Sequence, residues 1–418
     1  MPRTILLLFI SMTALLAACV APESYRKVSD TAEMEPVMEA VAPDTSESSA
    51  ARGSYAGPVR RGVLTAGDID DALNLAAFSR YATRAAGRTG LPQPGLGTPL
   101  LVQVTGPDGH PAPGIRYTLR RPGAAEPFHS GYAGPDGRIA DFPQVLGAGA
   151  LGTVEIRLFA DDGQEIARET LRTGRAQRLA LPQAGGWRPD FLDLVLVVDT
   201  TGSMGDEVAF LQKELTGIVR RASNRAPGVN IRFGLIAYRD QGDDYVVKDF
   251  GFTTRAAEMN GWLRGLSADG GGDYPEAAAA ALRAGVNMPW RKGKGERILL
   301  HIADAPPHPG ESAAYLRAAR SAAQQGVQIF TLGASGVAAE SEYLMRQASV
   351  ATGGRYLFLT DDSGVGNAHA EPTVPCYRVT SLQDLLTRIL ATELSGQRQE
   401  TGSAIREVGS YSGGVCRD

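Results

Sequence analysis

Three oxygen-bearing side chains crowd the end of one apolar run. In Phe191 to Ser203, FLDLVLVVDTTGS, the run Leu194 to Val198 is short, β-branched and bounded by polar residues, which predicts a strand buried on both faces. The run stops at Asp199. Asp199, Thr201 and Ser203 then place a carboxylate and two hydroxyls on the turn that enters a helix over Asp206 to Ala222. Such donors suit a hard divalent cation, and open parallel sheets bind their ligands at the carboxyl ends of the strands. Nucleophilic chemistry fits this stretch poorly. Ser203 lies in T-G-S-M-G, which lacks the first glycine of a nucleophile elbow, and no His and acid pair accompanies it. Arg291-Lys-Gly-Lys-Gly295 lacks the ending of a phosphate-binding loop, and neither H-E-x-x-H nor C-x-x-C occurs. The expectation is a binding protein, not an enzyme. A metal-dependent hydrolase stays open as the alternative, because an ion with bound water and aspartates can do chemistry.

The elements that position this turn follow from Trp187 onward, where strands and helices alternate and mark an α/β domain with a mostly parallel, doubly wound sheet. Val208, Leu211, Leu215, Ile218 and Val219 line one face of the first helix. Asn230 to Tyr238 predicts a second strand, and Tyr245 to Phe252 a third that returns as an antiparallel edge. A helix through Met259, Trp262 and Leu266 leads to the loop Ser267 to Tyr274, with Pro275 placed for the first position of the alanine-rich helix beyond it. Arg297 to Ala303, Val327 to Leu332 and Arg355 to Leu359 supply three more buried strands, with helices near Ser312 to Gln325, Glu340 to Val350 and Leu382 to Leu394.

Three separated segments, Asp199-Thr-Thr-Gly-Ser203, Gly270-Gly-Gly-Asp273-Tyr-Pro-Glu276 and Ile302-Ala-Asp304-Ala-Pro-Pro-His308, occur in the order and context of a von Willebrand factor type A domain. The resemblance implies a Rossmann-like fold whose three loops form a metal-ion-dependent adhesion site. Such a site holds Mg²⁺, or else Mn²⁺ or Ca²⁺, and completes its coordination with an acidic group from a partner. Carried over by position, Asp199 and Ser203 contact the ion, Thr201 replaces the commoner serine, and Asp304 acts directly or through water. Asp273 stands where the family usually has threonine; the G-G-G-D-x-P-E form looks like a bacterial and intracellular variant. A carboxylate there raises cation affinity and disfavours a further acidic ligand. Asp273 alternatively caps the following helix. Glu276 is expected to pair within its helix without a ligand role, His301 to be a core histidine and His308 a plain loop residue. Asp240, Asp243 and Asp244 read as a solvated acidic turn, with a place bordering the site as the alternative.

Residues 97–183 differ in character. Short alternating runs separated by Pro107-Asp108-Gly109, Pro135-Asp136-Gly137 and Asp161-Asp162-Gly163 predict a small all-β sandwich. Their order resembles the transthyretin-like and carboxypeptidase-regulatory sandwiches; His110 and His129 lie there without metal-ligand spacing. Upstream, the stretch from Val63 gives a helical pattern through Ile69, Leu73, Phe78 and Tyr81. Asp68, Asp70 and Asp71 lack the glycine and distal glutamate of a calcium loop and read as the helix start, where the dipole favours negative charge.

The N-terminus carries Arg3, the apolar run Ile5 to Leu16 and then Leu16-Ala17-Ala18-Cys19, a secretory signal that resembles the bacterial lipoprotein signal, with Cys19 lipidated. Val20 after it, with no aspartate, favours the outer membrane, facing the periplasm or the surface. Export leaves Cys376 and Cys416 as an even pair for a disulfide in an oxidising compartment. The division expected is a signal peptide over 1–18, a disordered tether over 19–57, a helical segment over 58–96, the sandwich, the type A domain over 188–396 and a tail over 397–418. A net charge of -4 gives no sign of a nucleic-acid partner. The function expected is lipid-anchored, metal-dependent binding of an unidentified protein or envelope ligand. A hydrolase of envelope components or a scaffold with a purely structural ion are the alternatives.

Overall fold

The computed structural model describes residues 54–55, 63–93, 95–272, 274–334, 336–363 and 372–417. The signal peptide, Cys19, nearly all of the tether and Asp273 lie outside the described residues. Among the described residues no helix is long and apolar enough to cross a membrane.

In chain order the elements begin with β1 (Ser54–Tyr55), β2 (Thr65–Ile69) and α1 (Leu75–Thr89). The β-rich region follows with β3 (Leu100–Thr105), β4 (Arg116–Arg120), β5 (His129–Tyr132), β6 (Arg138–Asp141), β7 (Thr153–Phe159), β8 (Glu165–Arg172) and β9 (Ala176–Ala180). Next come β10 (Phe191–Asp199), α2 (Gly205–Ser223), β11 (Asn230–Tyr238), β12 (Val247–Thr253), α3 (Ala256–Arg264), α4 (Ala278–Val286) and β13 (Gly295–Ala303). The chain continues through α5 (Ser312–Gln325), β14 (Gln328–Gly333), α6 (Ala339–Thr352), β15 (Tyr356–Thr360), β16 (Tyr377–Ser381) and α7 (Leu382–Ser395). It closes with β17 (Arg406–Val408), β18 (Ser410–Ser412) and β19 (Val415–Arg417).

Ten strands make one mixed sheet in the order β1-β17-β16-β2-β15-β14-β13-β10-β11-β12. Its centre, β15-β14-β13-β10-β11, is parallel throughout, whereas β12, β2, β16, β17 and β1 pair antiparallel. All nine residues of β10 are buried because α2, α3 and α7 cover one face of the sheet and α4, α5 and α6 the other. The hydrophobic stripe of α2 packs on Leu194, Leu196 and Val198, and Val195 and Val197 point into the opposite core.

The β-rich region consists of a three-stranded sheet, β6-β3-β9, and a four-stranded antiparallel sheet, β5-β4-β7-β8. Val102 and Val104 of the first join Leu119, Val154, Ile156 and Leu158 of the second in one apolar cluster, which also takes in Phe78 and Tyr81 of α1 and Tyr343 of α6. The alternation along β7, buried at every second residue, is the period of a strand with one face in a core.

Four sequence expectations change. The segment from Val63 is not helical at its start: Thr65–Ile69 is a strand in the slot between β15 and β16, and the helix opens only at Leu75. Asp68, Asp70 and Asp71 do not start that helix; arginines from the residue before β15, from α6, from α7 and from the segment after α7 close on them. The helix after Pro275 begins at Ala278, so Pro275 is not its first residue; Glu276 instead forms an isolated parallel bridge with Pro307. The stretch beyond residue 396 is more than a tail, because β17 enters the sheet between β16 and β1. Cys376 and Cys416 are joined by a disulfide, with a Cα–Cα distance of 5.4 Å, and Asn74 holds the same hairpin by bonds to Gly414 and Cys416, each at 2.8 Å.

Candidate metal centre

The site forms where β10 and β13 end. At Asp199, fully buried, the chain leaves the sheet, and the backbone N–H and hydroxyl of Thr201 both donate to Asp199 Oδ1, at 2.9 and 2.7 Å. Oδ1 is thereby satisfied, while Oδ2 is buried without a hydrogen-bond partner. Thr200 fixes the turn from below, its N–H and hydroxyl donating to the Tyr238 carbonyl at 2.9 and 2.8 Å. Ser203, exposed at the mouth, has its hydroxyl 3.5 Å from that of Thr201 and bonded to the carboxylate of Asp304.

The second loop is tied to the first by Gly202 N–H to the Gly270 carbonyl, at 3.2 Å, and Asp269 N–H to the Thr200 carbonyl, at 3.0 Å. Gly270 and Gly271 have φ of +80° and +74°, and a Cβ on Gly271 would lie 2.8 Å from both Thr201 Cβ and Glu276 Oε1. Glycine is required there by backbone and by space together. Asp243 Oδ2 accepts from Gly271 N–H and Asp240 N–H, each at 3.0 Å, and Asp240 receives the His308 Nε2 contact at 2.5 Å. Asp240 and Asp243 therefore build the wall of the site and do not merely solvate a turn; the Asp244 carboxylate alone of the three is largely exposed, 3.6 Å from Arg239. His308 is part of the same wall, not a plain loop residue.

Glu276 is the residue that sequence reasoning missed. It lies ahead of α4, not inside it, with its N–H on the Pro306 carbonyl at 3.0 Å. The residue is 4% exposed and its Oε2 has no hydrogen-bond partner. The signal was its place: a second carboxylate three residues past Asp273 on a loop held down by glycines.

The electrostatics reflect crowded, unmatched acids. Burial, followed by the charge of Asp304, pushes Asp199 up to about 7 against the bonds from Thr201 and the nearby Tyr238 hydroxyl. Burial, then Asp199, Asp240, Asp243 and Asp304, pushes Glu276 up to about 9. Burial also raises Asp304, with Ser203 opposing. His301 lies beneath as a neutral core histidine, held down at about 3 by burial and bonded to the hydroxyls of Tyr238 and Tyr315 at 3.1 and 3.0 Å.

Asp199, Thr201, Ser203 and Asp304 thus come together at one sheet edge, while Asp273 lies outside the described residues. Among the described residues no three His, Cys, Asp or Glu side chains are arranged to hold an ion by themselves. A cation here would depend on the two hydroxyls as well as on carboxylates. The donor set is all oxygen, which fits a hard divalent ion, and a buried carboxylate oxygen with no partner is the feature such an ion would satisfy.

Residues 193–364 match the family model of the von Willebrand factor A domain. The chain carries a type A domain. Over 119 residues the chain is 36% identical to a putative ariadne-like RING finger protein of Acanthamoeba polyphaga mimivirus, a match spanning 28% of this chain and 11% of that protein. It is 29% identical over 118 residues to the alpha-protein kinase vwkA of Dictyostelium discoideum, spanning 28% of this chain and 19% of the relative. The chain thus covers less than a fifth of these relatives. Among solved structures it is similar to the open conformation of the pilus adhesin SpaC from Lactobacillus rhamnosus GG, at 14% identity and a TM-score of 0.35, covering 58% of this chain and 32% of that one. It is also similar to the conserved hypothetical protein BatB from Bacteroides thetaiotaomicron, at 16% identity and a TM-score of 0.30, covering 42% and 90%. Scores at this level say nothing of function.

Proposed function

We propose that the type A domain binds a divalent cation, Mg²⁺ or else Mn²⁺ or Ca²⁺, at the edge loops and with it a macromolecular partner. A type A domain supports a protein-binding role. The observation that carries the ion is the two buried carboxylate oxygens without partners, Asp199 Oδ2 and Glu276 Oε2. Leaving such groups unpaired costs about 1–3 kcal/mol each, so the arrangement is costly to fold unless something satisfies it. Asp199, Thr201, Ser203 and Asp304 would hold the ion, with Asp273 by position in the sequence and Glu276 beside them. The ion would supply an electrophilic position for a partner's oxygen. We read the site as binding and not as catalytic, because Ser203 bonds to Asp304 and not to a histidine.

The sequence around Cys19 supports a lipid anchor in the cell envelope, at the outer membrane. Metabolic labelling with a clickable fatty acid, lost in Cys19→Ala, tests it. For the site, calorimetric titration with Mg²⁺ should show uptake by the wild type and none by Asp199→Ala. Capture of partners from envelope extract should depend on Mg²⁺ and fail with EDTA. Capture indifferent to EDTA, with Mg²⁺ still raising the melting temperature, would leave the ion a structural role only.

A further inference from the structure

The outer face of the four-stranded sheet β5-β4-β7-β8 buries donors that the fold leaves unsatisfied. Along β4, Tyr117 and Leu119 point into the apolar cluster, so Arg116, Thr118 and Arg120 share the opposite face. Thr118 is 6% exposed, and among the described residues its hydroxyl has no hydrogen-bond partner. Neither have the buried Nε and Nη1 of Arg120, two residues further along the same face. Buried polar atoms are ordinarily paired, so three orphans side by side on one strand call for a cause.

The strand register shows why the chain does not meet them. Thr118 pairs with Ser130 of β5 on one side and Arg157 of β7 on the other, and Arg120 pairs with Glu155. Glu155 is the acid placed to take Arg120, but it accepts from Arg157 Nε at 2.6 Å. The second acid of this face, Glu165, accepts from Arg168 Nε and Nη2 at 2.8 and 3.1 Å and lies 3.7 Å from Arg157. Arg116 is stacked 4.2 Å from the centre of the Phe159 ring. Both glutamates are thus claimed, and Nε and Nη1 of Arg120 stay unmet on a face where arginines outnumber acids. The orphans are also of one chemical kind. Guanidinium N–H groups only donate, a hydroxyl donates as well, and each calls for an acceptor oxygen. The guanidinium charge disfavours a cation, and an apolar partner would leave the donors bare. A carboxylate offers two oxygens and a phosphate group three, so three orphan atoms fit the phosphate better.

We propose that this face of the β-rich region is a phosphate-binding site, in which Arg120 and Thr118 donate to the oxygens of one phosphate group and Ser130 borders it. Arg120 is half-buried and Ser130 exposed, so the site opens to solvent at these two residues. The inference stands apart from the cation edge, since its residues come from β4 and β5 alone. It adds a second ligand of opposite charge to the one read at the ends of β10 and β13.

The test uses the full chain carrying Cys19→Ala, so that no lipid anchor contributes, in EDTA at constant ionic strength. Calorimetric titration with glycerol 3-phosphate should show uptake, weakened about tenfold or more in Arg120→Gln, which loses charge-assisted bonds, and roughly three- to tenfold in Thr118→Val. Arg84→Gln, on the exposed face of α1, should bind as the parent does. Thr118→Val has a second readout. It removes the orphan hydroxyl, so the ligand-free protein should melt no lower than the parent, while the rise in melting temperature on adding the ester shrinks. A packing role for Thr118 alone would give the reverse, a lower melting temperature with the ester's effect intact, and would remove Thr118 from the site. Flotation with phosphatidylglycerol vesicles identifies the source of the phosphate. Arg120-dependent flotation supports the site and assigns it a lipid headgroup; uptake of the ester without flotation supports it and assigns a soluble ligand. Neither uptake nor flotation by the parent, or Arg120→Gln equal to the parent in both, would overturn the inference.

Discussion

Two clusters of buried acids lie in this molecule, and they are treated in opposite ways. Along the seam where β2 enters the sheet, Asp71 receives Arg346 through two bonds at 2.8 and 2.9 Å, Asp68 receives Arg388 at 2.7 Å, and Asp70 receives Arg398 at 2.9 Å. Arg346 is itself fully buried, stacked 3.7 Å from the centre of the Tyr81 ring and bonded to Glu342 at 3.0 Å. At the sheet's carboxyl edge, Asp199, Glu276 and Asp304 have no arginine among their bonds to the described residues, and two of their oxygens have no partner among them. In sequence both clusters are rich in aspartate, but the seam lacks the glycine and distal glutamate of a calcium loop. The difference is neutralisation by the chain itself: acids matched by arginines are structure, and acids left unmatched are the candidate site.

The comparison breaks most sharply at Arg346. Arg346→Met leaves Asp71 and Glu342 buried without their cation and should cost about 3–5 kcal/mol in urea unfolding. Mg²⁺ uptake by the remaining folded protein should be unchanged; loss of both together would show that the seam and the edge are one system. The disulfide reinforces the same seam from the C-terminus, since Cys416 N–H bonds to Asn74 beside β2. Replacing Cys376 and Cys416 together by serine should cost about 2–4 kcal/mol, again with Mg²⁺ uptake retained.

How much of this was legible in the sequence depends on how local each cause is. The Asp199 turn could be read directly, because the strand, the turn and the amphipathic helix after it are contiguous, and the parallel centre of the sheet follows from β-branched runs alone. Strand β2 could not. TAGDI has neither alternation nor an apolar run, and it is a strand only because β15 and β16 leave a slot, with Phe358 and Tyr377 so close to Gly67 that a Cβ there would lie 2.8 Å from the Phe358 ring. The arginines that claim Asp68 and Asp71 lie 320 and 275 residues away in the chain, beyond any local pattern. Glu276 was hidden for the same reason, since its burial requires the second and third loops to fold against each other through Glu276 N–H to the Pro306 carbonyl.

At the edge, Asp199→Asn sharpens the contrast. It removes a charge that burial disfavours, so the ion-free protein should melt a few degrees higher at pH 8, while the stabilisation by Mg²⁺ seen in the wild type disappears. The stabilisation lost follows the ratio of free ion to its dissociation constant. A wild type that melts at the same temperature with and without Mg²⁺ would speak against an ion at Asp199.

The pH dependence is the most diagnostic effect, because its sign differs between the clusters. Burial pushes Asp68 up, but Arg388, Arg355 and Arg398 outweigh it and hold the carboxyl at about 2. Between about 2 and 4 the unfolded chain binds the extra proton, so this contribution is present above about pH 4 and is lost as the pH falls toward 2. Asp199 and Glu276 are raised, to about 7 and about 9. From about pH 4 upward the folded chain holds protons that the unfolded chain has released, so stability falls as the pH rises through 7 and on to 9. With EDTA present, melting temperature should therefore decline from pH 5 to pH 9, and Asp199→Asn combined with Glu276→Gln should flatten that decline while leaving the acid limb of Asp68 in place. An unchanged alkaline slope in the double variant would mean that the edge acids are neutralised by something within the fold, and the distinction between the two clusters would fall.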